Sequence, residues 1–317
     1  MTSRDVTASP VRHGQPRVPR PRTPHKPWWR TGGAKGWAYA TPTAIVVGLL
    51  FLAPLALVVW MSLNHWPLLG SPELNVPDNY TKITDDPLFV DAVWFTLKYT
   101  AIITVLLSGF ALGLALLVQE TRPGVGFFRT AFFLPGAVGF ATASLLFYGF
   151  YNPDFGPLDT ILRDLHITSE PINWIGTPNR ALFSTIALVM WRFAGFNMLI
   201  LLTGLQSIPL EVYEAARVDG ANRWKSFRYI TLPLLRPTIA LMLILSITGS
   251  LLAFDQFFIL TNGGPDNSTT SIVILVYRNA FLKFDLGGAA ALSVVLLVVL
   301  VALNALQLRV LRKDQTR

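Results

Sequence analysis

Few side chains in this 317-residue sequence are equipped for bond-making chemistry. It contains no cysteine, which excludes disulfides, thiol nucleophiles and cysteine metal sites. The four histidines, His13, His25, His65 and His166, are scattered and point to neither metal binding nor catalysis. No G-x-x-x-x-G-K-[ST] occurs, so the chain has no loop of its own to cradle the phosphates of ATP. Two other features stand out. Arg192 and Asp255 are charges inside long apolar runs, and a polar loop at 207–236 carries Glu214, Asp219 and Gly220 among regularly spaced apolar residues.

The elements that must position these residues follow from composition. Apolar residues make up 52% of the chain and charged ones only 14%, well short of the quarter or so usual in soluble domains. Uncharged runs cover 41–63, 99–119, 130–151 and 286–308, and two more, 181–206 and 237–260, hold the single interior charges Arg192 and Asp255. At 1.5 Å per residue each is long enough to cross roughly 30 Å of hydrocarbon as a helix. Backbone exposed to lipid must satisfy its hydrogen bonds within a helix or a closed barrel, and alternating ten-residue strands are absent. The sequence therefore predicts an all-α polytopic membrane protein with six spans, at about 41–63, 97–119, 130–151, 181–206, 237–260 and 286–308. The first run is too long for a signal-peptide core and lacks a small-residue cleavage site, so it reads as an uncleaved span.

Basic residues give the expected orientation. They crowd the N-terminal tail, the loops after the second and fourth spans and the C-terminal tail, and are sparse in the intervening loops. Positive charge marks the cytoplasm, which places both termini inside. The net charge of +8 thus reflects topology rather than nucleic-acid binding. Residues 1–37, with six prolines among arginines, read as a disordered cytoplasmic tail anchored at its end by Trp28, Trp29 and Trp37. The segment 38–311 reads as the membrane domain and 312–317 as a short inner tail. The outer loop 64–92 is acidic, 152–180 is broken at its start by Pro153, Gly156 and Pro157, and Thr261-Asn262-Gly263-Gly264-Pro265 is a turn. After it, Ser271 to Phe284 is too polar to span and fits a short interfacial helix.

The loop 207–236 predicts a helix–turn–helix. Ser207-Ile208-Pro209 reads as a helix start, with Leu210, Tyr213 and Arg217 on one face. Asp219-Gly220 supplies the turn, because glycine accepts the left-handed conformation that ends a helix. A second helix starts near Asn222, carries Trp224, Phe227 and Ile230, and stops at Leu232-Pro233.

Glu214-Ala215-Ala216, then Gly220, then Ile230-x-Leu232-Pro233 is similar to the EAA loop of binding-protein-dependent ABC importer permeases, with the spacing intact. The resemblance extends over most of 40–310. It includes Asn79-Tyr80, Asp86-Pro87, the Gly263-Gly264-Pro265 turn and Gly287-Gly288-Ala289-Ala290-Ala291-x-Ser293, in the manner of maltose and glycerol-3-phosphate permeases. It implies the type I permease fold and a subunit of the prokaryotic plasma membrane, surrounded by lipid. It also implies a second, homologous permease, two ATPase subunits that use ATP and Mg²⁺, an extracytoplasmic binding protein, and a carbohydrate or polyol phosphate as cargo. The chain itself would bind no cofactor or metal and have no catalytic residue. In such a subunit the EAA helices dock on an ATPase, so Glu214, Ala215, Ala216, Asp219, Gly220, Trp224, Phe227, Ile230, Leu232 and Pro233 are the expected coupling residues. Sugar contacts are implied in spans 4 to 6, which makes Asn197, Ser250, Gln256 and Ser293 candidates by region.

Arg192 and Asp255 lie at depths about one helical turn apart, so they are candidates for a salt bridge, either lining the path or serving packing. On a straight fifth span the small residues Ser246, Gly249, Ser250 and Ala253 form a stripe, Asp255 lies opposite it and Gln256 beside it. Such a stripe serves close helix packing or a path. Phe254, Phe257 and Tyr277 could stack on sugar rings or pack in the core. The rival readings are an ion-coupled secondary transporter, thinly supported by Asp255 alone, and a membrane enzyme, for which the spans offer no catalytic cluster.

Overall fold

In the computed structural model, residues 32–120 and 122–315 are described. Most of the predicted tail, with Trp28 and Trp29, lies outside them, as do the last two residues. The chain divides into two units, Met1–Leu55 and Ala56–Arg317. The first contributes helix α1 (Gly32–Val47), a π-helical turn (Gly48–Leu52) and the start of α2 (Ala53–Ser62). The chain is thus already helical at Gly32, inside the predicted tail. Leu49, Leu50 and Phe51 are exposed, as a lipid-facing surface requires.

The second unit carries the rest. After α2 come a two-residue antiparallel ladder, β1 (Asn64–His65) with β2 (Glu73–Leu74), and α3 (Asp78–Asp85). The buried Asn79 donates through Nδ2 to the carbonyls of Ser62 and Asn64 at 3.0 and 2.9 Å, which holds α3 beneath the end of α2. Helix α4 (Pro87–Leu117) starts ten residues before the predicted second span. Asp91 and Lys98 cut the uncharged run short, but the helix start is written at Asp86-Pro87. Asp86 caps it by accepting from the Leu88 N–H, and proline occupies the first turn, where no intrahelical N–H partner is lost.

The predicted third span, 130–151, is not one straight helix. It consists of α5 (Val125–Ala137) and α6 (Phe140–Phe150), bent by 95°. Pro135 near the end of α5 and Gly139 before α6 supply the break, since proline lacks the N–H that would continue the ladder. Helix α7 (Pro157–Asp164) follows in the loop, then α8 (Pro178–Gln206), the long helix at the centre of the core. Tyr99, Ile103 and Leu107 of α4 are buried with Leu188, Met198 and Leu201 of α8. Between helices in lipid such contacts stabilise by close packing rather than by a hydrophobic driving force.

Beyond the loop helices α9 (Leu210–Val218), α10 (Arg223–Ser226) and α11 (Leu232–Leu234), the chain bends by 64° into α12 (Arg236–Leu251). The predicted fifth span also breaks, at Leu252–Phe254, before α13 (Asp255–Leu260). Helix α14 (Ile272–Tyr277) continues through a π-turn (Arg278–Leu282), and α15 (Leu286–Gln315) closes the fold. Ile274 and Leu275 are fully buried, so α14 is packed inside rather than lying at the interface. Among the described residues, four helices are long and apolar enough to cross a membrane, or up to six if each bent pair counts as one span.

Candidate functional site

The loop between α8 and α12 is built by its caps. Ser207 ends α8, its hydroxyl donating to the Gly204 carbonyl at 2.7 Å, and Pro209 is the cap of α9, so the helix starts two residues later than a cap at Ser207 would set it. At the other end of α9, Gly220 has φ +79°. Its N–H bonds the Arg217 carbonyl at 3.0 Å while that of Ala221 bonds Ala216 at 2.8 Å, the Schellman arrangement that glycine permits. Asn222 then caps α10, its Oδ1 accepting from the Lys225 N–H at 2.8 Å. Helical structure runs on through a π-turn (Phe227–Thr231) and through Pro233, breaking at Leu235 rather than at Leu232-Pro233. The wider π ring leaves room for a proline whose missing N–H would disturb an α-helical ladder.

Tyr213 and Thr231 join the two arms through their hydroxyls, 3.0 Å apart. Ala216 is buried against the chain itself, whereas Glu214, Ala215 and Asp219 are exposed. Leu210, Val218 and Trp224 are also exposed, and the Trp224 ring lies 5.9 Å from that of the half-buried Phe227. Ile230, Leu232 and Pro233 are half-buried. Glu214 forms no ion pair among the described residues. The result is a rigid, twice-capped corner with an uncovered apolar edge beside a free carboxylate.

A second feature lies among α4, α8, α12 and α13. A cavity of about 120 Å³ is walled by Tyr99, Thr104, Phe193, Phe196 and Leu245 and by polar groups of Asn197, Ser246, Ser250 and Gln256. Asn197 Oδ1 accepts from the Ser246 hydroxyl at 3.3 Å, and its Nδ2 donates to the Phe193 carbonyl at 3.0 Å. Gln256 donates through Nε2 to the Tyr99 hydroxyl at 3.3 Å. Gln256 Oε1 and the Thr104 hydroxyl are buried with no partner among the described residues, so the amide oxygen can accept from a guest and the hydroxyl can accept or donate.

Three of the six path candidates thus meet at one place: Asn197, Ser250 and Gln256. The other three do not. Ser293 bonds the Ala289 carbonyl on its own helix. Arg192 sits behind the wall, its Nη1 on the Gly136 carbonyl at 2.9 Å and its guanidinium 4.8 Å from the centre of the Phe193 ring. Asp255 forms no ion pair with Arg192, and the break at Leu252–Phe254 removes the straight helix on which their relative depths rested. Of the aromatic candidates, Phe257 is core, fully buried between Phe95 and Tyr99 at 5.0 and 4.9 Å. The contribution of α4 was missed. Its signal was present as Thr96, Thr100 and Thr104, spaced by four and so on one helix face.

Residues 122–313 match the family described as binding-protein-dependent transport system inner membrane component. The chain belongs to that family. It is a multi-pass permease subunit of the ABC importer class, and its resemblance to such permeases at the EAA loop holds. A sulfoquinovosyl glycerol transport system permease protein of Agrobacterium fabrum is 35% identical over 273 residues, 86% of this chain and 88% of the relative. A trehalose/maltose transport system permease protein of Thermococcus litoralis is 32% identical over 277 residues, 87% and 92% of the two chains. Among solved structures, a chain of a bacterial ABC transporter involved in import of the acidic polysaccharide alginate superposes with a TM-score of 0.78. It is 23% identical and covers 90% of this chain and 98% of its own, which fixes the type I permease fold. A chain of a bacterial alginate ABC transporter in complex with alginate pentasaccharide-bound periplasmic protein superposes with a TM-score of 0.76.

Proposed function

We propose that this permease and a second, homologous one enclose the path of an ATP-driven carbohydrate importer, with both termini cytoplasmic. The observation that carries the reading is the corner at 207–236. Its backbone is fixed by a Schellman turn and an asparagine cap, yet Leu210, Val218 and Trp224 are left bare. A capped corner with an uncovered apolar edge is a docking element. An ATPase subunit that binds ATP and Mg²⁺ is the occupant, because this chain has no phosphate loop of its own. Glu214, Ala215, Asp219, Gly220 and Trp224 present the outer surface, while Ala216, Phe227, Ile230, Leu232 and Pro233 hold the corner to the membrane domain. Closure of two such ATPases would push the corner and, through the 64° bend, turn α12.

The cargo reading rests on relatives whose names specify sugars and glycosides and on the chemistry of the cavity. Amide, hydroxyl and aromatic groups suit a neutral polyhydroxyl compound. At about 120 Å³ the cavity is smaller than the roughly 300–1,000 Å³ of a complete small-molecule site, as befits one wall of a path shared with a second permease. A periplasmic binding protein would deliver the sugar to the outer face. The test is to purify the tagged chain from its own membranes, reconstitute what accompanies it, and measure ATP-dependent uptake of maltose, trehalose and glycerol 3-phosphate. Recovery of an ATPase and a second permease with sugar uptake is the expected result. A homo-oligomer without ATPase, with uptake driven by an ion gradient, overturns it.

A further inference from the structure

Helix α13 has two unlike faces. Phe257 is wholly buried between Phe95 and Tyr99, and Gln256 turns into the cavity. The neighbouring Phe258 instead belongs to a row of rings that starts at Phe254, which packs against the core, and runs away from it. Phe254 and Phe258 stack at 5.0 Å, Phe258 meets Tyr277 edge-on at 4.9 Å, and Tyr277 meets Phe281 at 5.2 Å. Phe254, Phe258 and Tyr277 are half-buried, and Phe281 is 63% exposed.

Asp255 decides what that row faces. It stands six residues before the Thr261–Pro265 turn, about 9 Å along the helix by its rise. It makes no ion pair and no side-chain hydrogen bond among the described residues, and it is not enclosed. An unpaired carboxylate within a span is costly in hydrocarbon and is found facing water or a polar partner. Phe258 lies three residues further along the helix, on the same face as Asp255. The surface that holds Asp255 in water therefore holds the ring beside it.

We propose that Asp255 with Phe258, Tyr277 and Phe281 is an outer sugar station, a second contact site that a carbohydrate meets before the cavity. The apolar C–H face of a pyranose ring lies on the aromatic row, and Asp255 accepts hydrogen bonds from its hydroxyls. Helix α13 links the two sites, since Gln256, one residue on from Asp255, reaches the cavity. The inference rests on the carbohydrate reading above.

The absence of native cysteine makes a clean test possible. In the reconstituted complex with its binding protein, the thiol introduced by Phe281→Cys is reacted with a water-soluble cationic methanethiosulfonate. Phe258→Cys serves as the second variant, and Leu49→Cys is the mid-membrane reference. Expected are labelling on the order of tenfold faster than the reference, and slowing by about tenfold in whichever of maltose, trehalose or glycerol 3-phosphate the complex transports. Labelling as slow as the reference at both positions means that lipid or the second permease covers the row, and overturns the proposal. So does fast labelling that the transported sugar leaves unchanged. A wild-type complex that takes up no sugar removes the carbohydrate reading itself, and is recognised before any variant is made.

Discussion

Arg192 Nη1 donates to the Gly136 carbonyl at 2.9 Å, one residue before the chain leaves α5 for its 95° bend into α6. The carbonyls in the last turn of a helix have no intrahelical donor, and in a membrane no water replaces one. A guanidinium supplies the missing donor, and its charge suits the negative end of the helix dipole. The rings of Phe193 and Phe140, 4.8 and 5.7 Å from its central carbon, cover its faces. An intramembrane charge is here a cap on a broken helix.

Arg192→Leu should therefore cost about 1–3 kcal/mol, the usual penalty for an orphaned buried acceptor. Arg192→Lys, which keeps one donor, should cost less. Thermal unfolding of the detergent-solubilised complex, followed by size exclusion, reads this directly. Exchanging Arg192 and Asp255 should not restore what Arg192→Asp loses, because the arginine's partner is a backbone carbonyl. Full rescue by the exchange would mean that the two side chains meet after all.

Gly195 lets α5 and α8 touch. A Cβ there would collide with the Phe132 carbonyl and with the backbone of Phe133, neither of which can swing aside as a side chain would. Gly195→Ala should cost at least the 1–3 kcal/mol typical of overpacking, and Gly195→Val more. Gly109 and Gly113 of α4 have nothing within 4 Å of the same position. Alanine at either should be neutral or slightly stabilising, since glycine weakens a helix by about 0.5–1 kcal/mol relative to alanine. Paired melting curves of these variants separate a packing glycine from an incidental one.

The spans were legible because hydrocarbon imposes a crude rule, long runs without charge, and the sequence obeys it. Their ends and bends obey finer rules. Asp86-Pro87 wrote the true start of α4, but a count of uncharged residues overlooks a cap. Pro135 and Gly139 marked the bend inside the third span and were averaged away with their apolar neighbours. The break at Leu252–Phe254 carries no such local mark. There the Ala253 carbonyl accepts from the Ser271 hydroxyl at 2.7 Å, a partner 18 residues away that replaces the lost helical bond. Asn197, Ser250 and Gln256 could be chosen as polar residues of the right spans, whereas Tyr99 and Thr104 join them only through the packing of α4. The corner at 207–236 was the most legible part, since its glycine and asparagine caps are local signals.

At that corner Gly220 has open space around the missing Cβ, so its φ of +79° alone restricts substitution. Gly220→Ala should cost about 1 kcal/mol locally, whereas Gly220→Asn, which tolerates the left-handed region, should be milder. Gly220→Trp adds a bulky ring to the docking surface and should abolish uptake while the membrane domain stays folded. Glu214→Lys should do the same by reversing a charge. The measurement is uptake against ATP hydrolysis in proteoliposomes, with elution of the solubilised chain as the control. Normal uptake by the tryptophan variant would remove the coupling role.

Lys283 holds Asp86 at 2.9 Å and so ties the start of α4 to the segment before α15, 197 residues away in sequence. Burial pushes the Asp86 carboxyl up, but the hydrogen bond from Lys283, the Leu88 N–H and the lysine's charge together leave it below its ordinary value. A carboxylate with a lowered folded pKa stabilises the fold fully above its unfolded value, about 3.9, and loses that contribution as pH falls through the folded one. Lys283 is half exposed, so solvent screening limits the contribution to less than about 1 kcal/mol. Asp86→Asn keeps the helix cap, since asparagine also accepts from an N–H, and removes only the charge. The melting temperatures of wild type and Asp86→Asn should differ by a constant amount from neutral pH down to about pH 5 and converge below about pH 4. A difference that persists in strong acid would assign the stabilisation to the cap rather than to the ion pair.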